Sequence, residues 1–587
     1  MNILLMHTHD TGKYISPYGF HVPTGHLMEF AKDAMVFEAM FCASPTCSPS
    51  RGAMMTSQYS HCNGLNGLSQ RGHDITEKKH HMASYLHEHG YHSILAGVQH
   101  ERDFWRPLWR AERASRDLGY DTNLSVEDTF VANDTDLLEW DWRNAERVRG
   151  FLDSYDGSRP FFLSYGTHAT HRIYPELSDE DRKQYDPNYI AVPGNVMNNQ
   201  STREDTARLH KSLASYDRCF GRVMQGLKES GLYDQTIIIY TTDHGLPNPY
   251  SKCGLKDAGM AVSFIMRVPG FPQSMGRVYD GLLSQIDLLP TLCSLCGLPV
   301  PGYAQGRDFS AVFKDPGVRV RDEVFAEVNF HASYEPQRCI RTDRYKYIEY
   351  YDNDWKQYNL ANCDESVIKQ ALVEGGIMNR QKAGEQLYDL LFDPNEMENL
   401  NSHPDYATIK NELAGRLKAW REETGDTVQM NQMIERLHEA GEIVVLGLGS
   451  SWIIAKDLEL RFKRIKKNCQ ALNDINLQYF AARNAGRGTI FWGITYSGTT
   501  RDVLDNLRIA REEGAATILM THHSNRQFEE EFDYIIYVYG SEARDRRTST
   551  ISRLAMLYLV DMIYFMYMNR YSQEVTACLD YNSKIQN

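Results

Sequence analysis

Thr236-Ile237-Ile238-Ile239-Tyr240-Thr241 runs without a break into Thr242-Asp243-His244-Gly245. The first part is a short apolar run rich in β-branched residues, the pattern of a strand buried on both faces. The second is a polar cluster at its carboxyl end. The chain opens the same way: residues 2–8 read as a buried strand and deliver Thr8-His9-Asp10. Residues 91–96 and 161–165 carry further strand signals, each separated from its neighbours by enough chain for a helix. Strand–helix alternation predicts an α/β fold with a mostly parallel central sheet covered on both faces. Ligands of such sheets gather beyond the carboxyl ends of the strands. His9, Asp10, Asp243 and His244 are therefore expected to meet there, and hard oxygen donors brought together at one edge make a divalent-cation site. For His9 a plain strand cap stays open as the alternative.

At 587 residues the chain exceeds one hydrophobic core, so two or more domains are expected. A formal charge of −14 excludes a broad nucleic-acid-binding surface, which needs clustered Lys and Arg. Any anionic ligand must be held by a local basic pocket. The opening residues MNILLM are too short for a secretory signal and lack its cationic start. No apolar run approaches the ~20 residues that span a bilayer. Eleven cysteines, an odd and irregular set, suit a reducing compartment. A cytoplasmic protein with neither nucleic acid nor membrane as partner is the expectation.

Cys47-Ser48-Pro49-Ser50-Arg51 lies within FCASPTCSPSRGAMMTS, residues 41–57. Read alone, a cysteine before Ser-Pro can start a helix, where amides and dipole favour an anion and activate a thiol. A buried structural cysteine is the competing reading. The segment resembles the sulfatase signature Cys-x-Pro-Ser-Arg, followed here by a helix over 51–58 and the turn His61-Cys62-Asn63-Gly64. The resemblance implies an alkaline-phosphatase-like sulfatase domain over residues 1–425. It also implies that Cys47 is oxidised to formylglycine by a formylglycine-generating or radical maturation enzyme, with Arg51 neutralising the alkoxide. His9, Asp10, Asp243 and His244 match the family's metal positions, with His9 where an aspartate is common. Calcium is the family's usual ion; the imidazoles leave Mg, Mn or Zn open.

Further along, His100 in Gly97-Val98-Gln99-His100 falls where sulfatases have Gly-Lys-x-His, with Val98 in the lysine's place. His168 and His171 in THATHR echo the family's His-x-Pro-His, and His168 is the expected general acid. Lys252 matches the residue that grips sulfate, with Lys256 as the spare. CSPSRGAMMTSQYSHCNGLNGLSQ (47–70) and DHGLPNPYSK (243–252) are similar to the heparan N-sulfatase branch. RTDRYKYI (341–348) and QLYDLLFDPNEMENL (386–400) extend the match across nearly all of residues 1–425. The implied substrate is a sulfated, heparan-type saccharide, whose uronate Arg102, Arg106, Arg110 and Arg172 could read.

A second α/β pattern begins near residue 430. Residues 443–446, 489–495, 516–521 and 534–538 read as strands, and 549–569 as a closing apolar helix. Gly447-Leu448-Gly449-Ser450-Ser451 and Tyr496-Ser497-Gly498-Thr499-Thr500 each follow a strand and open a helix. Small residues there let amides approach an anion, so a phosphate is the natural ligand. Residues 430–575 resemble the SIS (sugar isomerase) fold, the effector half of RpiR-type regulators. On that resemblance Ser450, Ser451, Ser497, Thr499 and Thr500 bind a sugar phosphate, and the domain senses or oligomerises. No basic recognition helix precedes it, and Glu442 and His522 make no persuasive acid–base pair. Cys293-Ser294-Leu295-Cys296 reads as helix core, and the acidic, aromatic stretch 127–143 as a solvated or substrate-side loop. Two rivals to a sulfatase are carried forward: a phosphodiester or phosphonate hydrolase of the same superfamily, and a non-catalytic sugar-phosphate sensor.

Overall fold

The structure, a computed structural model, describes residues 1–102, 108–126, 134–352, 357–426, 429–522, 524–528, 531–538, 550–572, 574–576 and 578. They divide into two compact units, one holding residues 1–351 and 357–426, the other Asp352 and the described residues from Gln429 onward.

In the first unit, Asn2–Thr8 lies at the centre of an eight-stranded sheet. It pairs in parallel with Phe161–Gly166 on one side and Thr236–Thr242 on the other, and His92–Gly97 and Thr122–Asn123 continue the parallel half. Beyond Thr236–Thr242 comes an antiparallel neighbour, Phe264–Arg267, then Met35–Phe37 and Arg277–Tyr279. Alternation explains why the central strands are apolar throughout: Ile3, Leu5, Ile237 and Ile239 enter one hydrophobic cluster, while Leu4, Met6, Ile238 and Tyr240 enter the other. Each such side chain contributes roughly 1.5–3 kcal/mol by leaving water. The sheet is thereby fixed rigidly, and so are the residues just past its strand ends.

A four-stranded antiparallel sheet follows, Glu323–Phe330, Tyr334–Thr342, Tyr345–Tyr350 and Glu385–Asp389. The helix Ala407–Thr424 packs Leu413, Leu417 and Trp420 onto it. The strand–helix reading did not foresee this sheet.

The second unit is a five-stranded, all-parallel sheet in the order Cys469–Leu472, Glu442–Gly447, Thr489–Ile494, Ala516–His522, Tyr534–Val538. Ile443 and Val445 enter one core cluster, Val444 and Leu446 the opposite one. The edge strand Cys469–Leu472 and the helices Gln429–Glu439 and Ile475–Arg483 are additions to the sequence reading.

Candidate active site

Two strand-end turns form the floor of the site. Asp10 follows Asn2–Thr8 in the left-handed region at φ 47°, a conformation that aspartate tolerates better than most residues. Asp243 follows Thr236–Thr242, and its Oδ1 accepts from the Asp10 amide at 2.9 Å. Gly245 closes this turn against residues 258–259: a Cβ there would stand 1.9 Å from the Ala258 carbonyl oxygen. Only glycine fits.

Cys47 opens the helix Cys47–Thr56, four residues earlier than the sequence suggested, and all ten residues of that helix are buried. Arg51, one turn on, shares the face of Cys47. Its Nε donates to Asp243 Oδ2 at 3.2 Å, Nη1 to His7 Nδ1 at 2.7 Å and Nη2 to the Thr8 carbonyl at 3.1 Å. Since His7 Nδ1 accepts, its Nε2 carries the proton and donates to Ser164 Oγ at 3.1 Å. Burial, then Arg51, holds His7 well below the usual imidazole range. The neutral ring aims the guanidinium.

His244 Nδ1 donates to the Gly245 carbonyl at 3.0 Å. The lone pair is thus on Nε2, which lies 3.5 Å from Cys47 Sγ and 3.1 Å from Asp10 Oδ1. Asp10 Oδ1 and His9 Nδ1 are buried and make no hydrogen bond, although His9 Nδ1 stands 3.0 Å from Asp243 Oδ2. Lone pairs facing one another in a dry pocket are what a bound cation would relieve. Donor atoms of His9, Asp10, Cys47 and Asp243 all lie within 4.8 Å of one another, as do those of His9, Cys47 and His100. These donors therefore fit a divalent ion, on an oxygen-and-nitrogen set. A further grouping, His61, Glu327 and Asp426, already holds the Arg338 guanidinium, with Asp426 at 2.6 Å and Glu327 at 3.4 Å. It is an ion-pair network.

Lys252 Nζ bridges Asp10 Oδ2 at 3.1 Å and Asp364 Oδ2 at 2.9 Å. Burial works against its charge, but Asp10, Cys47 and Asp364 carry it well above the ordinary lysine value. Burial pushes the Cys47 thiol up, Lys252 opposing only in part. As a plain thiol it is therefore protonated at neutral pH and a poor nucleophile. Burial would raise Asp243, yet His244, Arg51 and His9 bring it well below the carboxylate range.

The loop after Phe161–Gly166 brings His168 and His171 alongside His9, at ring-centroid distances of 6.3 and 5.4 Å, and His100 lies 5.8 Å from the same ring. His171 Nε2 is 4.0 Å from Asp10 Oδ2. His168 and His100 are each held at about 3, by burial first and then by His171 for the former and Arg51 for the latter.

Cys47, Arg51, His9, Asp10, His100, His168, His171, Asp243, His244 and Lys252 thus share one cluster. Other expected residues are held by partners of their own. Arg172 makes two bonds to Asp205, at 2.8 and 2.7 Å, and others to Asn248 and the Pro247 carbonyl. Arg102 pairs with Asp117 at 2.7 Å. Lys256 donates to the Glu396 carbonyl and lies over the Tyr388 ring. Arg106 and the Arg110 side chain fall outside the described residues. In the second unit, Ser450 and Ser451 begin the helix Ser450–Arg464, and Ser497, Thr499 and Thr500 form the turn before Arg501–Glu512. Both turns sit at the carboxyl ends of two adjacent strands.

Several contributors escaped the sequence reading. Asp141 lies in the stretch read as a solvated or substrate-side loop, yet it is buried in the helix Asp134–Ser154. Its Oδ1 and Oδ2 accept from the His168 and Ala169 amides at 2.8 and 2.9 Å, which fixes the histidine loop. Asp364 and the buried His331 come from the antiparallel sheet and its connections. Only the acidic pattern of 127–143 signalled any of them.

A family model described as "Sulfatase" matches residues 2–298, one described as "N-sulphoglucosamine sulphohydrolase, C-terminal" matches 244–372, and one described as "SIS domain" matches 436–566. The human N-sulphoglucosamine sulphohydrolase is 26% identical over 482 residues, covering 72% of this chain and 90% of its own. An uncharacterized HTH-type transcriptional regulator of Caldanaerobacter subterraneus is 29% identical over 157 residues, 27% of this chain and 56% of the regulator. Among solved structures, one in complex with its substrate D-glucosamine-2-N,6-O-disulfate superposes with a TM-score of 0.54 at 18% identity, covering 73% of this chain and 98% of that one.

Proposed function

Because the chain belongs to the sulfatase family, with a SIS domain fused behind, we propose that residues 1–425 hydrolyse the sulfate ester or sulfamate of a heparan-type sugar and that residues 430–575 bind a sugar phosphate. The observation that carries the first part is a buried Cys47 at a helix start, 3.5 Å from His244 and clustered with His9, Asp10 and Asp243. Burial raises its thiol pKa, which argues against direct use of the sulfur and leaves conversion to formylglycine as the route to a nucleophile.

Hydrated formylglycine supplies an oxygen nucleophile and a second hydroxyl for releasing sulfate. His9, Asp10, Asp243 and His244 would hold a divalent ion, calcium by family resemblance, and the ion would supply Lewis acidity to the sulfuryl group. Arg51, pinned by three acceptors, faces the nucleophile's charge. Lys252 grips the sulfate from the other side and supplies the cation that Val98 does not. His168, aimed by Asp141, donates a proton to the leaving atom; the entering anion raises its pKa from the depressed resting value. His100 and His171 line the same pocket.

Similarity over residues 244–372 and to the human enzyme supports N-sulfated glucosamine as the first substrate to try. Paired hydroxyl-rich turns at adjacent strand ends support the sugar-phosphate reading of Ser450, Ser451, Ser497, Thr499 and Thr500, and a SIS domain also offers a surface for self-association. The test is sulfate release from N-sulfoglucosamine and from glucosamine 6-O-sulfate, beside a phosphodiester and a phosphonate monoester. Sulfate release at a rate well above either phosphorus substrate is expected. Preference for the phosphorus substrates would overturn the assignment.

A further inference from the structure

The site's cations and its ion-binding groups account for a sulfate, and none of them accounts for the sugar attached to it. We propose that His331 and Asp364 form a subsite reading the hydrogen-bonding groups, hydroxyl or amine, of the sugar that flanks the sulfated position. The proposal rests on the sulfatase reading above and adds to it a set of residues outside the strand ends.

Asp10 and Asp243 have side chains 0% and 1% exposed, whereas Asp364 is 24% exposed and holds Lys252 from the solvent side. A carboxylate at that place repels a sulfate, so it must face the uncharged or cationic part of the substrate. His331 is buried, and its Nδ1 has no hydrogen-bond partner among the described residues. Lys252, Asp364 and His244 all lie within electrostatic reach of that ring. A buried polar atom left unpaired, within electrostatic reach of the lysine proposed to grip sulfate, is a position that a ligand hydrogen bond would satisfy.

The fold holds the two groups together. Asn362 Oδ1 accepts from the Ala332 and Ser333 amides at 2.9 and 2.8 Å, and Asn359 Nδ2 donates to Ser333 Oγ at 2.6 Å. The turn that carries His331 and the segment that carries Asp364 are thus clamped to each other, a pre-organisation that a reading site needs.

The test compares kcat/KM on a sulfated sugar with kcat/KM on a ring that carries the same bond and no hydroxyls. The pairs are N-sulfoglucosamine with N-cyclohexylsulfamate, and glucosamine 6-O-sulfate with cyclohexylmethyl sulfate. In Asp364→Asn and, independently, His331→Gln, the sugar-to-cyclohexyl quotient is expected to fall by about tenfold or more, the worth of a hydrogen bond to a charged or buried group. Asp364 acting only as a prop for Lys252 would slow both members of a pair alike. A quotient that stays near the wild-type value in both variants overturns the subsite and leaves the sulfatase reading intact. A wild-type protein carrying the aldehyde that hydrolyses none of these compounds overturns both.

Discussion

Single residues carry the sharpest consequences. Cys47→Ala removes the nucleophile's precursor and is expected to lower sulfate release by at least about a thousandfold, with the unfolding midpoint little changed, since a small buried side chain is exchanged. Asp141 is the more revealing case. Burial, opposed only partly by the His168 and Ala169 amides, raises its carboxyl to about 7. Its folded pKa therefore exceeds the unfolded one. The stability it contributes is fully present below about pH 4 and is lost as pH rises through about 7. Urea unfolding of the wild type and of Asp141→Asn across pH 4–8 checks this: the variant is expected to show the smaller change over that interval. Turnover of Asp141→Asn should also fall, since the histidine loop loses one of its two acceptors.

At the scale of elements, the strand ends control the site. Gly245→Ala would push a methyl into the Ala258 carbonyl. The turn bearing Asp243 and His244 must shift, at a cost of roughly 1–3 kcal/mol and with a larger proportional loss of turnover than of stability. Chemical unfolding and sulfate release on the same preparation separate the two effects. The same scale explains what the sequence disclosed. Residues 2–8 and 236–241 are apolar because both sheet faces are covered, so their strands and the polar groups beyond them could be read directly. The antiparallel sheet could not, because buried charges interrupt its apolar inward positions. Lys346, fully buried, is neutralised by Asp257 and Glu396, and Arg338 by Asp426 and Glu327. Charges paired inside a core erase the alternation that marks a strand. That is why Asp364 and His331 stayed hidden, whereas Cys47 and Lys252 stood in recognisable motifs. Asp141 was misread for a related reason: its acidic surroundings suggest solvent, but tertiary contact buries it.

Across the whole molecule, a catalytic unit is joined to one with its own two-faced core. Ser497→Ala is expected to weaken binding of a sugar phosphate, read by calorimetry, while a chelator is expected to abolish sulfate release until a divalent ion is restored. None of the described helices is long and apolar enough to cross a membrane. The proposal that joins sequence, fold and chemistry is that position 47 acts as an aldehyde-derived nucleophile beside His9, Asp10, Asp243 and His244. The most direct measurement is sulfate release from N-sulfoglucosamine and glucosamine 6-O-sulfate by protein whose residue-47 peptide, weighed by mass spectrometry, has exchanged the thiol sulfur and two hydrogens for an oxygen. Activity that rises in proportion to the converted fraction is the predicted result. Activity that is independent of that fraction, or full in Cys47→Ala, would contradict it.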